Sequence, residues 1–103
     1  MKKILLTGAS GFLGRRLLLS LINSYSVVSA IRRADASFRG TQVVVDNIDL
    51  KTEWGPALSG VGTVIHAAAR VHVMHDVSVD PLEKFREVNV YGSLNLARQA
   101  QAM

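Results

Sequence analysis

The chain has 103 residues, room for one small domain, and 49% of them are hydrophobic, which excludes both a disordered chain and a multidomain one. It has no cysteine, which excludes a disulfide framework and any thiolate nucleophile or thiolate metal site. The formal charge of +4 is dispersed over the doublets Lys2-Lys3, Arg15-Arg16 and Arg32-Arg33 without aromatic interleaving, a pattern that argues against nucleic acid and suits a small anionic ligand.

In chain order, Lys2-Lys3 leads into the apolar run Ile4, Leu5, Leu6, which breaks at Gly8. That run is too short for a signal-peptide core or a membrane span, so the expectation is a cytoplasmic, reducing home and no membrane partner. It reads instead as a first strand. A turn comes next in which Gly8, Gly11 and Gly14 fall at i, i+3 and i+6, and a helix runs from Phe12 to about Asn23 on Phe12, Leu13, Leu17, Leu18, Leu21 and Ile22. Gly8 allows a sharp turn where a Cβ would be penalised. Gly11 lets the main chain approach a pyrophosphate, and Gly14 lets the helix pack closely on the strand. The helix start offers unpaired N–H groups and a positive dipole end to a phosphate. A plain strand-to-helix turn is the other reading of such glycines, but a strand before and a helix after are the context that a phosphate-binding turn requires.

Ser26 to Ile31 reads as a second strand closed by Arg32-Arg33, and Ala34 to Gly40 is a polar connection. Thr41 to Val45 is a third strand, rich in β-branched residues. Leu50 to Leu58 is a short helix interrupted by Gly55-Pro56. Gly62 to Ala68, apolar almost throughout, is a fourth strand packed on both faces, as in a parallel sheet. Arg70 to Val79 is irregular. The last helix is announced by Asp80 as N-cap, Pro81 at N1 and Glu83 at N3, with Leu82, Phe85, Val88, Leu94 and Leu96 as its apolar face. The expected fold class is α/β: a Rossmann-like, doubly wound parallel sheet with strand order 3-2-1-4 and its later strands missing. The chain stops inside a helix without a closing Gly or Pro, so residues 1–103 read as the N-terminal part of something larger. The open edge of the fourth strand then predicts self-association.

Thr7-Gly8-Ala9-Ser10-Gly11-Phe12-Leu13-Gly14 resembles the opening of the extended short-chain dehydrogenase/reductases, the nucleotide-sugar epimerase/dehydratase family. The resemblance continues through Asp46, His66-Ala67-Ala68-Ala69 and Val88-Asn89-Val90-Tyr91-Gly92-Ser93. It implies NADP or NAD as cofactor, with Gly8, Ser10, Gly11, Phe12, Leu13 and Gly14 at the diphosphate. Asp46 would accept from the adenine amino group, with Asn47 and Ile48 beside the ring; the alternative is that Asp46 caps the next turn. Ala67, Ala68 and Ala69 would line the path to the nicotinamide ribose, and Asn89 would lie near the active site. A core asparagine satisfied by backbone is the other reading of Asn89, whose place on an apolar helical face calls for a buried partner. Gly92 in mid-helix suggests close packing against the sheet.

Arg32 stands where an acidic residue usually takes the ribose hydroxyls of NAD. It either clasps a 2′-phosphate, favouring NADP, or is a solvated charge at a strand end. His66 reads as a structural, hydrogen-bonded histidine rather than a catalyst. His72, His75 and Asp76 invite a metal reading, but no further protein ligand with deliberate spacing accompanies them and no metal is expected. Residues 67–76 resemble the corresponding segment of bacterial nucleotide-sugar 4-epimerases and 4-ketohexosamine reductases, which implies contact of Arg70 and His72 with a nucleotide-sugar substrate. The catalytic Tyr-x-x-x-Lys of that family is not found: four residues after Tyr25 and Tyr91 stand Ser29 and Asn95. No residue of this chain is therefore assigned to catalysis. The implied function is the cofactor-binding portion of an enzyme moving a hydride to or from a sugar carbon, C4 above others, in surface-polysaccharide synthesis. A non-catalytic dinucleotide-binding or redox-sensing domain is the alternative.

Overall fold

The structure is a computed structural model that describes residues 2–37, 39–45, 47–68 and 81–103. Strands β1 (Lys3–Thr7), β2 (Ser26–Ile31), β3 (Thr41–Val44) and β4 (Thr63–His66) form one wholly parallel sheet in the order β3-β2-β1-β4. This is the expected order. Helix α1 (Phe12–Leu21) comes after β1, and the four-residue α2 (Gly55–Leu58) precedes β4. The last helical stretch has three parts: α3 (Pro81–Arg86), a π-helical segment (Glu87–Gly92) and α4 (Ser93–Ala102).

Successive side chains of a strand point to opposite faces, and β1 is apolar on both. Leu5 joins Val28, Ala30, Trp54, Leu58 and Leu96 on the face covered by α2 and α4. Leu6 joins Leu18, Val27 and Ile31 on the face covered by α1. Both leucines are fully buried. Each contributes about 1.5–3 kcal/mol, more than the ~1 kcal/mol net of a hydrogen bond, so the two-sided core dominates the sheet's stability. Val64 and Ile65 pack on opposite faces in the same way, which bears out the two-sided reading of β4.

Three expectations are corrected. The helix expected over Leu50 to Leu58 forms only from Gly55, because Pro56 sits at its first turn, where the missing N–H and fixed φ suit a helix start; the proline opens the helix rather than interrupting it. The last helix buries only part of the face read from its apolar residues: Leu96 is in the core, as expected, but Leu82 and Leu94 are 59% and 49% exposed. The π-helical segment takes in one extra residue, which turns α4 relative to α3 by roughly 100° and so separates Leu82 from Leu96, whereas Leu94 lies roughly 200° from Leu96 on α4 itself. The face of α4 turned inward then carries Asn95 and Leu96, with Gln99 and Ala100 beside them. Finally, Asn89 is exposed, and the buried asparagine is Asn95. The Asp80 N-cap lies outside the described residues.

Asn95 and Gln99 clamp the loop between β3 and α2. Asn95 Nδ2 donates to the carbonyls of Asp49 and Thr52, both at 2.9 Å. Gln99 Nε2 donates to the Thr52 carbonyl at 2.7 Å and to Asn95 Oδ1 at 2.8 Å, while its Oε1 accepts from the Trp54 amide at 2.7 Å. Every side-chain N–H of the two amides has an acceptor. Gly92 belongs to the same contact: a Cβ there would meet the Ile48 carbonyl oxygen at 2.8 Å. Its close packing is against this loop, not against the sheet as expected. Asn95→Ala leaves the loop carbonyls short of donors and should lower stability by about 1–3 kcal/mol. Arg98→Ala, on the exposed face of α4, should stay within about 0.5 kcal/mol. Urea unfolding midpoints of the two variants check this.

Candidate functional site

The turn between β1 and α1 is built from main chain against main chain. Gly8 has φ +72, in the left-handed region that favours glycine, and a Cβ on it would lie 2.6 Å from the Ala68 nitrogen and 2.7 Å from the Ala67 carbonyl carbon. A Cβ on Gly14 would lie 1.8 Å from the Gly8 carbonyl oxygen, so the first turn of α1 rests directly on the end of β1. Gly11 differs: a Cβ there meets only the Gly8 oxygen, at 3.3 Å. Its amide donates to that oxygen at 3.0 Å, and its carbonyl accepts the first helical bond, from Arg15, at 2.9 Å.

The amides of Phe12, Leu13 and Gly14 precede that first bond. No side chain caps the helix, and its first turn holds no acidic residue. Ser10, Gly11, Phe12 and Leu13 are all exposed, Phe12 at 88%. An anion at this end meets bare N–H groups and the positive end of the helix dipole. Arg15 Nε donates to the Ser10 carbonyl at 3.3 Å, which places a guanidinium beside the turn. The residues present suit a diphosphate: the donors are main-chain amides at an uncapped helix start whose residues 10–13 are exposed.

The end of β4 closes the other side. Ala67 N donates to the Thr7 carbonyl at 3.3 Å, and Ala68 N to Thr7 Oγ1 at 3.1 Å. Thr7, fully buried, was given no role from sequence beyond its place in the motif. Its hydroxyl also meets His66 Nδ1 at 2.6 Å, and His66 Nε2 meets Ser93 Oγ at 3.1 Å. His66 is thus held by hydrogen bonds on both ring nitrogens, and burial pushes its pKa below the usual histidine value.

Arg32 and Arg33 come directly after the last residue of β2 and are exposed. The connection behind them is fixed by Gln42, whose Oε1 accepts from the Asp35 amide at 2.9 Å and whose Nε2 donates to the Asp35 carbonyl at 2.6 Å. The Asp35 carboxylate accepts from the Ser37 hydroxyl and amide at 2.6 and 2.8 Å; these bonds hold its pKa below the usual carboxylate value. Asn47 is exposed after β3, and its carbonyl accepts the Thr52 hydroxyl. Gly8, Ser10, Gly11, Phe12, Leu13 and Gly14 therefore form one turn with Ala67 and Ala68 against it, and Arg32 and Asn47 stand beyond the next two strands at the same end of the sheet. The Asn89 carbonyl accepts the Ser93 hydroxyl at 2.9 Å. Asp46, Ala69, Arg70, His72, His75 and Asp76 lie outside the described residues. No cluster of three metal-ligating side chains occurs among the described residues, and none of their helices is long and apolar enough to cross a membrane.

A parallel sheet in this order, with a glycine turn and bare amides at the carboxyl end of its first strand, defines the dinucleotide-binding class of α/β protein. The sequence model of the NAD dependent epimerase/dehydratase family matches residues 4–103. The chain belongs to that family. It is 44% identical over 101 residues to a UDP-glucose 4-epimerase of Vibrio cholerae, an alignment covering 96% of this chain and 31% of that protein. Among solved structures it is similar to the L-threonine dehydrogenase of Clostridium difficile, with TM-score 0.77 and 30% identity over 99% of this chain and 34% of that one. It is also similar to MoeE5, solved in complex with UDP-glucose and NAD, with TM-score 0.73 and 29% identity over 95% of this chain and 33% of that one. The chain thus spans only 31–34% of the length of these relatives.

The glycines are not equivalent, and thermal unfolding separates them. Gly14→Ala drives a methyl into fixed backbone and should cost at least the ~1–3 kcal/mol of an overpacked site. Gly11→Ala needs a shift of a few tenths of an ångström and should cost less than about 1 kcal/mol. Equal losses at the two positions would contradict this geometry. For His66 the folded pKa is depressed below the ordinary value of 6.5, so the unfolded chain binds the proton first as pH falls. Stability should therefore drop from about pH 6.5 downward, until the folded-state pKa is passed. Denaturant titrations between pH 7.5 and 5 check this, and His66→Gln should flatten the slope.

Proposed function

We propose that these residues form the cofactor end of a nucleotide-sugar epimerase, dehydratase or reductase, an enzyme that moves a hydride to and from a sugar carbon, with C4 as the position. The observation that carries the reading is the turn at Gly8, Gly11 and Gly14, which leaves main-chain amides at the start of α1 open to a ligand. Likeness to relatives supports the same division of labour. A UDP-glucose 4-epimerase and an L-threonine dehydrogenase, named for different substrates, each align with this chain over about a third of their length, 31% and 34%. The family is named for NAD, and MoeE5 was solved with NAD bound, which supports a cofactor-binding role for this stretch.

When bound, a nicotinamide dinucleotide supplies a hydride acceptor and donor. The residues of this chain bind and orient it. The amides of Phe12 and Leu13 face the diphosphate, and the main chain at Ala67 and Ala68 forms the wall toward the nicotinamide ribose. By resemblance to the family, Asp46 and Asn47 are assigned to the adenine, Ala69 to the nicotinamide ribose, and Arg70 and His72 to the sugar nucleotide. The proton of the sugar hydroxyl needs a phenol or similar group whose pKa is lowered by a neighbouring cation. Neither Tyr25 nor Tyr91 has that arrangement in sequence, so the acid–base group belongs to a part of the enzyme outside these residues, and the chain alone does not turn over substrate. The wider role is in polysaccharide building-block synthesis, in the cytoplasm.

Arg32, with Arg33 beside it, supports NADP over NAD, because a guanidinium meets the two extra charges of a 2′-phosphate bidentately. The outer edge of β4, unpaired among the described residues, supports self-association where nothing else covers it. Titrating the full-length protein with NADPH and NADH by nicotinamide fluorescence tests the cofactor reading. NADPH should bind the more tightly, and Arg32→Asp should reverse the order. Failure to bind either dinucleotide would remove the oxidoreductase reading, and equal ratios before and after the substitution would remove Arg32 from the ribose pocket. Sedimentation velocity of residues 1–103 should give a species larger than a monomer; a monomer would remove the β4 contact.

A further inference from the structure

His66 stands where β4, the end of β1 and the start of α4 meet, and hydrogen-bond counting fixes the position of its proton. Ser93 has one hydroxyl proton, and its Oγ donates it to the Asn89 carbonyl at 2.9 Å, the local back-bond typical of a helical serine. The contact of Ser93 Oγ with His66 Nε2 at 3.1 Å must then be one in which Nε2–H donates. A neutral imidazole carries a single N–H, so Nδ1 is bare and accepts the Thr7 hydroxyl at 2.6 Å. The Thr7 oxygen keeps a lone pair for the Ala68 amide at 3.1 Å. The opposite tautomer fits less well. It would aim two donors, Nδ1–H and Ala68 N–H, at Thr7 Oγ1, leaving the proton of a fully buried hydroxyl without an acceptor among the described residues. It would also make Ser93 choose between two acceptors.

We propose that His66 is a positioning residue, locked as the Nε2–H tautomer by a one-way chain of hydrogen bonds from the Ala68 amide through Thr7, His66 and Ser93 to the Asn89 carbonyl. The chain joins the π-helical segment to both walls of the glycine turn. Ala68 is the residue whose nitrogen lies 2.6 Å from where a Gly8 Cβ would be, so a small displacement of Ala68 changes the cradle directly. Ser93, on a helix reached 27 residues after His66, thereby governs how well the turn holds a ligand. The consequence for cofactor affinity rests on the proposed dinucleotide reading; the direction of the chain does not.

The test uses full-length protein with ring-15N histidine, as wild type, Ser93→Ala and Ser93→Thr, read by NMR at neutral pH and by NADH and NADPH titration. In wild type and Ser93→Thr, His66 should carry its proton on Nε2. In Ser93→Ala the Nε2–H loses its acceptor, so the tautomers should mix. The better-bound dinucleotide should weaken roughly 3- to 10-fold, the worth of about one net hydrogen bond. A proton on Nδ1 in wild type overturns the chain. A Ser93→Ala variant with unchanged affinity overturns the coupling to the turn, as does a loss that Ser93→Thr does not restore. If Ser93→Ala does not fold, the wild-type and Ser93→Thr tautomers decide the direction, and their equal affinities are required for the coupling to stand. If the wild type binds neither dinucleotide, the functional reading fails while the tautomer still decides the chain.

Discussion

The contact on which the architecture turns is backbone on backbone at Gly8. The left-handed turn of Gly8 brings its α-carbon against the Ala67–Ala68 peptide on one side, and Gly14 sets the first turn of α1 on its carbonyl on the other. A single methyl at Gly8 or Gly14 would have to displace main chain rather than a flexible side-chain tip. β1, α1 and β4 are therefore spaced by peptide groups alone. The amides at the helix start hold their positions through sheet register, which carries no rotamer freedom. α1 lacks a side-chain cap and an acidic first turn, so it gains little from its own N-terminus. Its Leu18, with Leu17 and Leu21, holds it to the sheet instead.

The opposite face is organised by polar contacts within an apolar surround. Trp54, Leu58 and Leu96 supply the buried area, while Asn95 and Gln99 decide where the loop over them lies. Leaving a buried amide unmatched costs more than forming one net hydrogen bond gains, so a network with each N–H and the key carbonyls matched defines one loop position sharply. That loop begins beside Asn47 and Ile48. Whatever approaches the carboxyl end of β3 meets a surface set by α4, whose contacts with the loop span 43 to 47 residues of sequence.

The sheet was legible because its signal is local and redundant. Ile4 to Leu6, Val27 to Ile31 and Val64-Ile65 are short apolar runs ended by turn or charged residues, and parallel strands buried on both faces read this way. The glycine turn was legible because strand, spacing and helix agree. Of the inward face of α4 only Leu96 was legible. Gly92, Asn95, Leu96, Gln99 and Ala100 hold one large apolar side chain among them, so hydrophobic periodicity groups Leu96 with the exposed Leu82 and Leu94. A π-helical turn, which moves the phase of the helix, has no marker in the spacing of apolar residues. Asn89 and Asn95 were exchanged for the same reason. The histidine contact was legible in kind, as a hydrogen-bonded structural residue. Its partners were not, since Thr7 and Ser93 lie 59 and 27 residues away from it.

Charge is kept out of the cradle, and this divides the work of binding. The turn itself presents neutral amides whose partial charges gain strength from the helix end. The fixed cations stand apart: Arg15 beside Ser10, and Arg32 and Arg33 beyond β2. The nearby carboxylate of Asp35 is occupied by Ser37. A main-chain cradle can hold a phosphate but cannot distinguish one dinucleotide from another, because every such ligand brings the same diphosphate. Discrimination must then come from side chains at the strand ends that flank it, which can change without disturbing the glycine contact. In the proposed reading, affinity rests on backbone set by Gly8 and Gly14, where a methyl would have to displace main chain, and selectivity on the exposed Arg32 and Arg33.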